Sequence, residues 1–150
     1  MAVKFPFVSA FLCEKILQEK DGINTAIRIV DIFNIAADAP PDAGVHFFGF
    51  VSLKTAPVPD SKVTIRIAIV SPIGTREYLP GAPDQPYSLS VFEGDPTVPT
   101  GLMLVFEINI IPKNLGTGYL EIEADGEVAV RLPFTIRRLP PAQSVPEQRK

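Results

Sequence analysis

The segment from Gly118 to Ile136, GYLEIEADGEVAVRLPFTI, constrains the fold more than any other, because it predicts two strands joined at Asp125–Gly126. Side chains alternate between the two faces of a strand, so the loop length decides which residues of the two strands lie on one face. A two-residue loop would place Ile122 opposite Ala129 and would mix apolar and charged residues on that face. A three-residue loop pairs Ile122 with Val128 and keeps the face apolar, and a glycine can adopt the left-handed conformation that such a bulged turn needs. The sequence therefore predicts a bulged hairpin with a three-residue loop.

Short apolar runs recur along the rest of the chain, and most of its 16 prolines and 10 glycines lie between them. Alternation with period two and many β-branched residues are typical of strands. Besides the hairpin, the predicted strands are residues 5–13, 25–36, 45–54, 62–71, 87–92 and 102–111. Residues 14–20, EKILQEK, have helical propensity, but the segment is too short to form a stable helix alone. The spacing predicts an all-β antiparallel β-sandwich of seven or eight strands and favours it over a closed barrel.

The length of 150 residues predicts a single domain. We assign residues 1–138 to this domain. Residues 139–150, LPPAQSVPEQRK, have no periodic apolar face and are expected to form a flexible, proline-rich tail.

The charge of the chain bears on its partners. The net charge is −3, from 14 basic and 17 acidic residues. Such a balance provides no electrostatic attraction for nucleic acid or for an anionic membrane, so neither is expected as a partner. Cys13 is the single cysteine, which excludes an intramolecular disulfide and favours a reducing compartment. No stretch approaches 18 apolar residues, so we expect a cytoplasmic protein without a membrane span.

Side chains that commonly perform catalysis are few. The only histidine, His46, alternates with two phenylalanines on a predicted strand, which is more typical of a packed or edge-facing histidine than of a general base. Cys13 follows an apolar residue and is interpreted as a buried thiol rather than a nucleophile. Glu121 and Glu123 share one face of a strand and are expected to face water. The sequence therefore predicts no catalytic site and no enzyme.

Metal and cofactor sites are not predicted either. Asp31, Asp38 and Asp42 lie near His46 in the sequence, but their spacing matches no metal-binding motif. A calcium site needs six to eight oxygen ligands. It would require carboxylates from three separate loops to converge, namely Asp60, Asp84, Glu93 and Asp95.

Two predicted strands are apolar on both faces, although a strand of a sandwich is expected to have one face in water. On the second face lie Phe48, Phe50, Met103 and Val105. Either the N-terminal segment or a long loop covers this face, or it is an interface with another subunit or partner. Under the second interpretation these four residues are the interface, and a homodimer is the expected assembly.

The two ends of the chain resemble a family of uncharacterised small bacterial proteins. The opening of that family has a Leu-Cys-acidic triplet, a turn at Asn/Asp-Gly and an Ile-x-x-[Ile/Val]-[Phe/Trp]-like segment. The matching residues here are Leu12, Cys13, Glu14, Asp21, Gly22 and Ile29–Phe33, together with Gly118–Ile122, Asp125, Gly126, Pro133 and Phe134. The chain differs from the family in the order Val30–Asp31–Ile32–Phe33. The resemblance implies an immunoglobulin-like sandwich and implies no activity.

These observations predict a non-catalytic binding or assembly module of β-sandwich type, with no cofactor. Two alternatives remain open at this point. One is a carboxylate-dependent, carbohydrate-active hydrolase, and the other is a calcium-dependent ligand-binding module.

Overall fold

A computed structural model of the chain describes residues 5–56, 61–79, 86–89, 95 and 97–142. These residues form ten strands, not the seven or eight that the spacing of the apolar runs predicts. They contain no helix of the length and apolarity that a membrane span needs. In chain order the strands are β1 (Phe7–Gln18), β2 (Asn24–Ile29), β3 (Ile32–Ile35), β4 (Val45–Thr55), β5 (Ser61–Val70), β6 (Arg76–Tyr78), β7 (Pro86–Leu89), β8 (Thr100–Ile110), β9 (Gly116–Ala124) and β10 (Glu127–Arg138).

The strands form two sheets. Four of them make an antiparallel sheet in the order β2-β1-β4-β8, which we call the four-stranded sheet. The other six make a second sheet in the order β3-β10-β9-β5-β6, with β7 paired to β5 as well. Only the β3–β10 pair is parallel among the described residues. The prediction of an all-β protein without a long helix is confirmed for the part of the chain described here.

One hydrophobic core lies between the sheets. The ring of Phe47 on β4 stacks on Phe33 of β3 with 4.2 Å between ring centroids, and it lies 5.7 Å from the ring of Phe134 on β10. Both sheets contribute buried residues to this core: Leu12, Phe47, Val51, Leu53 and Ile108 from the four-stranded sheet, and Phe33, Ile35, Val63, Ile65, Ile67, Leu120, Ile122, Ala124, Val130, Phe134 and Ile136 from the six-stranded sheet. The alternation predicted for 45–54, 62–71 and 102–111 therefore identifies the inner face of each of these strands.

Residues 25–36 are two strands, not the single strand that the apolar run predicts. Ile29 ends β2 and pairs with Cys13 in the four-stranded sheet, whereas Ile32 begins β3 and pairs with Thr135 in the other sheet. Between them, the amide of Val30 donates to β1 and the carbonyl of Asp31 accepts from β10. A run of β-branched residues is compatible with either sheet, so the pattern does not reveal where the chain crosses.

Residues 14–20 do not form a helical turn. Strand β1 continues to Gln18 and pairs with β2. A tight turn follows, in which Glu19 donates its amide to the carbonyl of Ile23 at 2.8 Å and Gly22 adopts φ of 82°. The backbone hydrogen bonds of the β1–β2 ladder outweigh the weak helical propensity of this segment.

The hairpin at Asp125–Gly126 keeps the predicted apolar face but reaches it differently. The loop has two residues, both with positive φ (51° and 83°), which is typical of a type I′ turn. The register then shifts between Val128 and Val130, so that Ala129 is an extra residue and Ile122 pairs with Val130. The prediction of a three-residue loop is wrong, because the bulge that restores the parity lies inside β10.

A test of the packing within the four-stranded sheet is provided by Gly49. A Cβ atom at this position would overlap the ring of Phe106, its cross-strand partner on β8. We expect Gly49→Ala to lower the free energy of unfolding by about 1–3 kcal/mol, because the ring must move out of its packed position. In a Phe106→Leu background the same substitution should cost less, as measured by urea denaturation. An equal cost in both backgrounds would show that the ring is not the obstacle.

Candidate functional site

The four predicted interface residues lie together on the side of the four-stranded sheet that faces away from the core, which we call the outer face. Phe50 of β4 pairs with Val105 of β8, and Met103 and Phe48 lie on either side of this pair in the same ladder. Met103 is 60% exposed and Val105 is 43% exposed, while the two phenylalanines are half-buried. The predicted residues thus form one continuous apolar surface in the monomer.

Neighbouring aromatic and polar side chains border this surface. Phe11 of β1 stacks on Phe50 with 4.9 Å between ring centroids. His46 lies edge-on to Phe48, and its Nε2 atom lies 2.6 Å from Oε1 of Glu107. The histidine is therefore an exposed residue of an inner strand with a carboxylate neighbour, rather than a packed core residue.

The β1–β2 hairpin covers part of the outer face. Its residue Asn24 donates a side-chain hydrogen bond to the sulfur of Met103 at 3.7 Å. Because β1 and β4 separate β2 from β8 in the sheet, this contact requires the end of the hairpin to curve over the outer face. Cover by an N-terminal segment was one explanation of the doubled apolar pattern, and the hairpin provides some of it. Val105 and Met103 stay exposed nevertheless.

The outer face ends at a long strand edge. Strand β8 is the last strand of its sheet and has 11 residues, which include no proline, lysine or arginine. The other edge strands are shorter: β2 has six residues with a positive φ at Arg28, β3 has four and β6 has three. Short or irregular edges resist pairing with another chain, and β8 lacks these protections among the described residues.

Glu121 and Glu123 on β9 are buried, so the prediction that they face water is wrong. Only 3% and 4% of their surfaces are exposed. Arg76 of β6 pairs with both carboxylates, and its Nη1 atom lies 2.6 Å from Glu123. Arg131 of β10 donates from Nε to Glu121 at 3.0 Å, and the hydroxyl of Tyr78 donates to Glu123 at 3.1 Å. A buried charge needs such partners, and here each carboxylate has two.

Two arginines extend this cluster through ring contacts. The guanidinium of Arg66 lies 5.0 Å from the ring centre of Tyr78, and that of Arg131 lies 4.2 Å from the ring centre of Tyr119. The cluster resembles a hydrolase site only in having two neighbouring carboxylates, because both are held as ion pairs. Sequence analysis missed it since β6, which supplies Arg76, has three residues and no recognisable alternation. The available signal was the pair Glu121 and Glu123 at alternate positions of one strand, together with one arginine on each of three other strands.

Cys13 is buried completely, which confirms its interpretation as a buried thiol. It lies on β1 between Phe48 and Ile29 of the neighbouring strands. Burial raises the pKa of the thiol above its ordinary value. Because the thiolate is the nucleophilic form, this environment opposes reactivity.

Of the four carboxylates that a calcium site would require, Asp60, Asp84 and Glu93 lie outside the described residues. Asp95 accepts hydrogen bonds from the hydroxyl and the amide of Thr97 at 2.6 and 2.8 Å, which lower the pKa of its carboxyl group. Within the described part of the chain, no three His, Cys, Asp or Glu side chains are grouped as metal ligands.

No family model matches the chain, and no curated protein matches its sequence. Among solved structures, it is similar to the Pseudomonas fluorescens alkylpurine DNA glycosylase AlkC bound to DNA containing an abasic site analog, with a TM-score of 0.46 and 14% identity. The similarity covers 71% of this chain and 27% of the glycosylase, so the chain spans about a quarter of that protein's length. The activity and the DNA are properties of that enzyme.

One expectation about partners is corrected at this point. Net charge led us to exclude nucleic acid, but the solved structure in this comparison is that of a DNA-bound protein. The exclusion is therefore not kept. The resemblance to a family of small bacterial proteins stays a prediction.

The ion-pair cluster leads to a prediction about stability. We expect Arg76→Ala to lower the urea midpoint of unfolding markedly, because it removes a partner from two buried carboxylates. Arg28→Ala is the matched control, since Arg28 pairs with Glu14 at 3.4 Å and both side chains are largely exposed. The control should change the midpoint little. Equal midpoints for the two variants would contradict the structural role of the cluster.

The burial of Cys13 predicts slow labelling by Ellman's reagent. At pH 8 the native protein should react at least about a hundredfold more slowly than the protein in 6 M urea, because the thiol is reached only after local opening. The control is Leu17→Cys in a Cys13→Ala background, since Leu17 is 40% exposed on the same strand. That variant should react quickly without urea. Rapid labelling of native Cys13 would show that the strand is open in solution.

Proposed function

We propose that this protein is a non-catalytic assembly module, built on an immunoglobulin-like sandwich, that forms a homodimer through β8 and the outer face. The observation that supports the proposal most directly is the coincidence of two features on one strand. The exposed residues Met103 and Val105 lie on β8, and the same strand is a sheet edge of 11 residues without proline, lysine or arginine. A second copy could cover both features at once.

The length of β8 suggests a register for the dimer. Val105 is the middle residue of Thr100–Ile110, so antiparallel pairing about a twofold axis at Val105 overlaps the whole strand. In that register Val105 faces Val105 of the second copy, and Met103 faces Glu107. The strands would join the two four-stranded sheets into one, which removes both exposed edges.

The outer face supports the same arrangement. Phe50 is next to Val105 in each subunit, so the axis would bring four apolar side chains into one row. Stable interfaces bury about 800 Å² per partner and are rich in aromatic residues at their centre. The row Phe50–Val105 provides such a centre, while His46 and Glu107 provide a polar margin.

The non-catalytic part of the proposal rests on the occupation of the reactive groups. His46 is bonded to Glu107, Cys13 is buried, and the carboxylates of Glu121 and Glu123 have arginine partners. A carboxylate-dependent hydrolase needs a carboxyl group that is free to exchange a proton with substrate. The described residues therefore favour assembly over hydrolysis. A cytoplasmic location stays a prediction.

The dimer is tested by light scattering coupled to size exclusion. We expect the protein to elute as a dimer at micromolar concentration, and Val105→Lys to convert it into a folded monomer because two lysines would meet at the axis. Val128→Lys is the matched control, since Val128 is a valine of similar exposure, 47%, on the other sheet. The control should remain dimeric.

The register has its own test. Met103→Lys would place a lysine opposite Glu107 of the second copy, so this variant should stay dimeric despite the added charge. If Met103→Lys and Val105→Lys both gave monomers, the face would be the interface but the register would be wrong. A monomeric wild-type protein would contradict the assembly proposal altogether.

A further inference from the structure

A second surface feature lies at one end of the sandwich, away from the centre of β8. The turn after β5 (residues 71–75) and the segment after β8 (residues 111–115) enclose a pocket of about 200 Å³. Its lining is mainly apolar and reaches the core residues Phe134 and Ile136 of β10. The pocket therefore opens between the two sheets and ends on core side chains.

The mouth of the pocket has two isoleucines that are unusually exposed. Ile73 is 70% exposed and Ile111 is 65% exposed, and both line the pocket. Single exposed apolar residues are common, but two beside one apolar cavity form a continuous surface that a ligand could remove from water. Removing apolar side-chain surface from water is favourable, so a ligand that partly covers both isoleucines gains binding free energy from them.

The turn that forms one wall is already ordered without a ligand. Ser71 and Thr75 are joined by two hydrogen bonds: the amide of Ser71 donates to the carbonyl of Thr75 at 2.8 Å, and the amide of Thr75 donates to the hydroxyl of Ser71 at 3.1 Å. Gly74 adopts φ of 86° within this turn, a conformation that suits glycine. A preformed wall lowers the ordering cost of binding.

The charges at the rim cancel. Nζ of Lys113 lies 3.6 Å from Oε1 of Glu77, and both residues line the pocket. A ligand with a net charge would gain little from a neutral rim, and moving its charge beside an apolar lining would cost free energy. Hydroxyl and amide groups of Ser71, Thr75 and Asn114 can instead hydrogen-bond an uncharged polar group.

We infer that this pocket binds a small uncharged molecule with an apolar body and one polar group, held with the apolar body inward. Its size supports a ligand of roughly phenol or hexanol dimensions, because an apolar cavity of about 150 Å³ accommodates benzene. A protein partner would need a broader surface than this opening provides. The inference does not depend on the proposed dimer.

The binding test uses isoleucine methyl NMR, because five isoleucines line the pocket: Ile69, Ile73, Ile110, Ile111 and Ile136. Titration with phenol and with 1-hexanol should give saturable shifts at these methyl groups and none at Ile23, which is 59% exposed in the turn between β1 and β2. Hexanoate and hexylammonium should bind more weakly than hexanol. Unsaturable shifts, equal shifts at Ile23, or tighter binding of either ion would overturn the inference.

Variants locate the site. Thr75→Trp should fill the pocket and raise the dissociation constant for hexanol at least about tenfold, whereas Val128→Trp, remote from the pocket, should leave it unchanged. If Thr75→Trp fails to fold, Ile73→Ser removes apolar contact at an exposed position and should weaken binding about threefold or more. Binding that is unchanged in a folded Thr75→Trp or Ile73→Ser protein would contradict the assignment.

Discussion

The packing of the Phe47 ring against Phe33 and Phe134 is the interaction on which the rest of the structure depends. It joins β4 of one sheet to β3 and β10 of the other and lies within the common core. Because side chains alternate along a strand, an inward Phe47 forces Phe48 and His46 outward. The packing of the core therefore decides which side chains of β4 point outward. Their apolar character is a separate property of the sequence at the alternate positions.

The outward faces of the two sheets differ in chemistry. The six-stranded sheet neutralises its outward glutamates with arginines, and two of its arginines lie against tyrosine rings, so its buried carboxylates are paired. The four-stranded sheet has apolar residues outward and only partial cover from the β1–β2 hairpin. A network of ion pairs gains nothing from contact with an apolar surface. The exposed side chains of Met103 and Val105 would be removed from water by such a contact. This difference in chemistry is the reason for proposing assembly through the four-stranded sheet rather than through the six-stranded one.

Much of the fold could be predicted from alternation alone, because strands such as β5 and β8 have one consistently apolar face. The errors in the predicted fold occur where the alternation pattern is the same for two different structures. It does not reveal the passage between sheets at Val30–Asp31, nor does it distinguish a three-residue loop from a two-residue loop with a bulge at Ala129. The Arg76 cluster was missed for a related reason: its members come from four strands, and only tertiary contact brings the arginine to the carboxylates.

The pocket and the edge of β8 share one strand, yet they need not compete. In the proposed register the pairing extends to Ile110 opposite Thr100 of the second copy, and it involves the free edge of the strand. The pocket uses the inward side of Ile110 and the residues that follow it. Since inward side chains and the strand edge point in perpendicular directions, a second copy can cover the edge while the pocket stays open. A ligand could then alter assembly only by displacing β8 itself, which its ladder with β4 from Val45 to Thr55 resists.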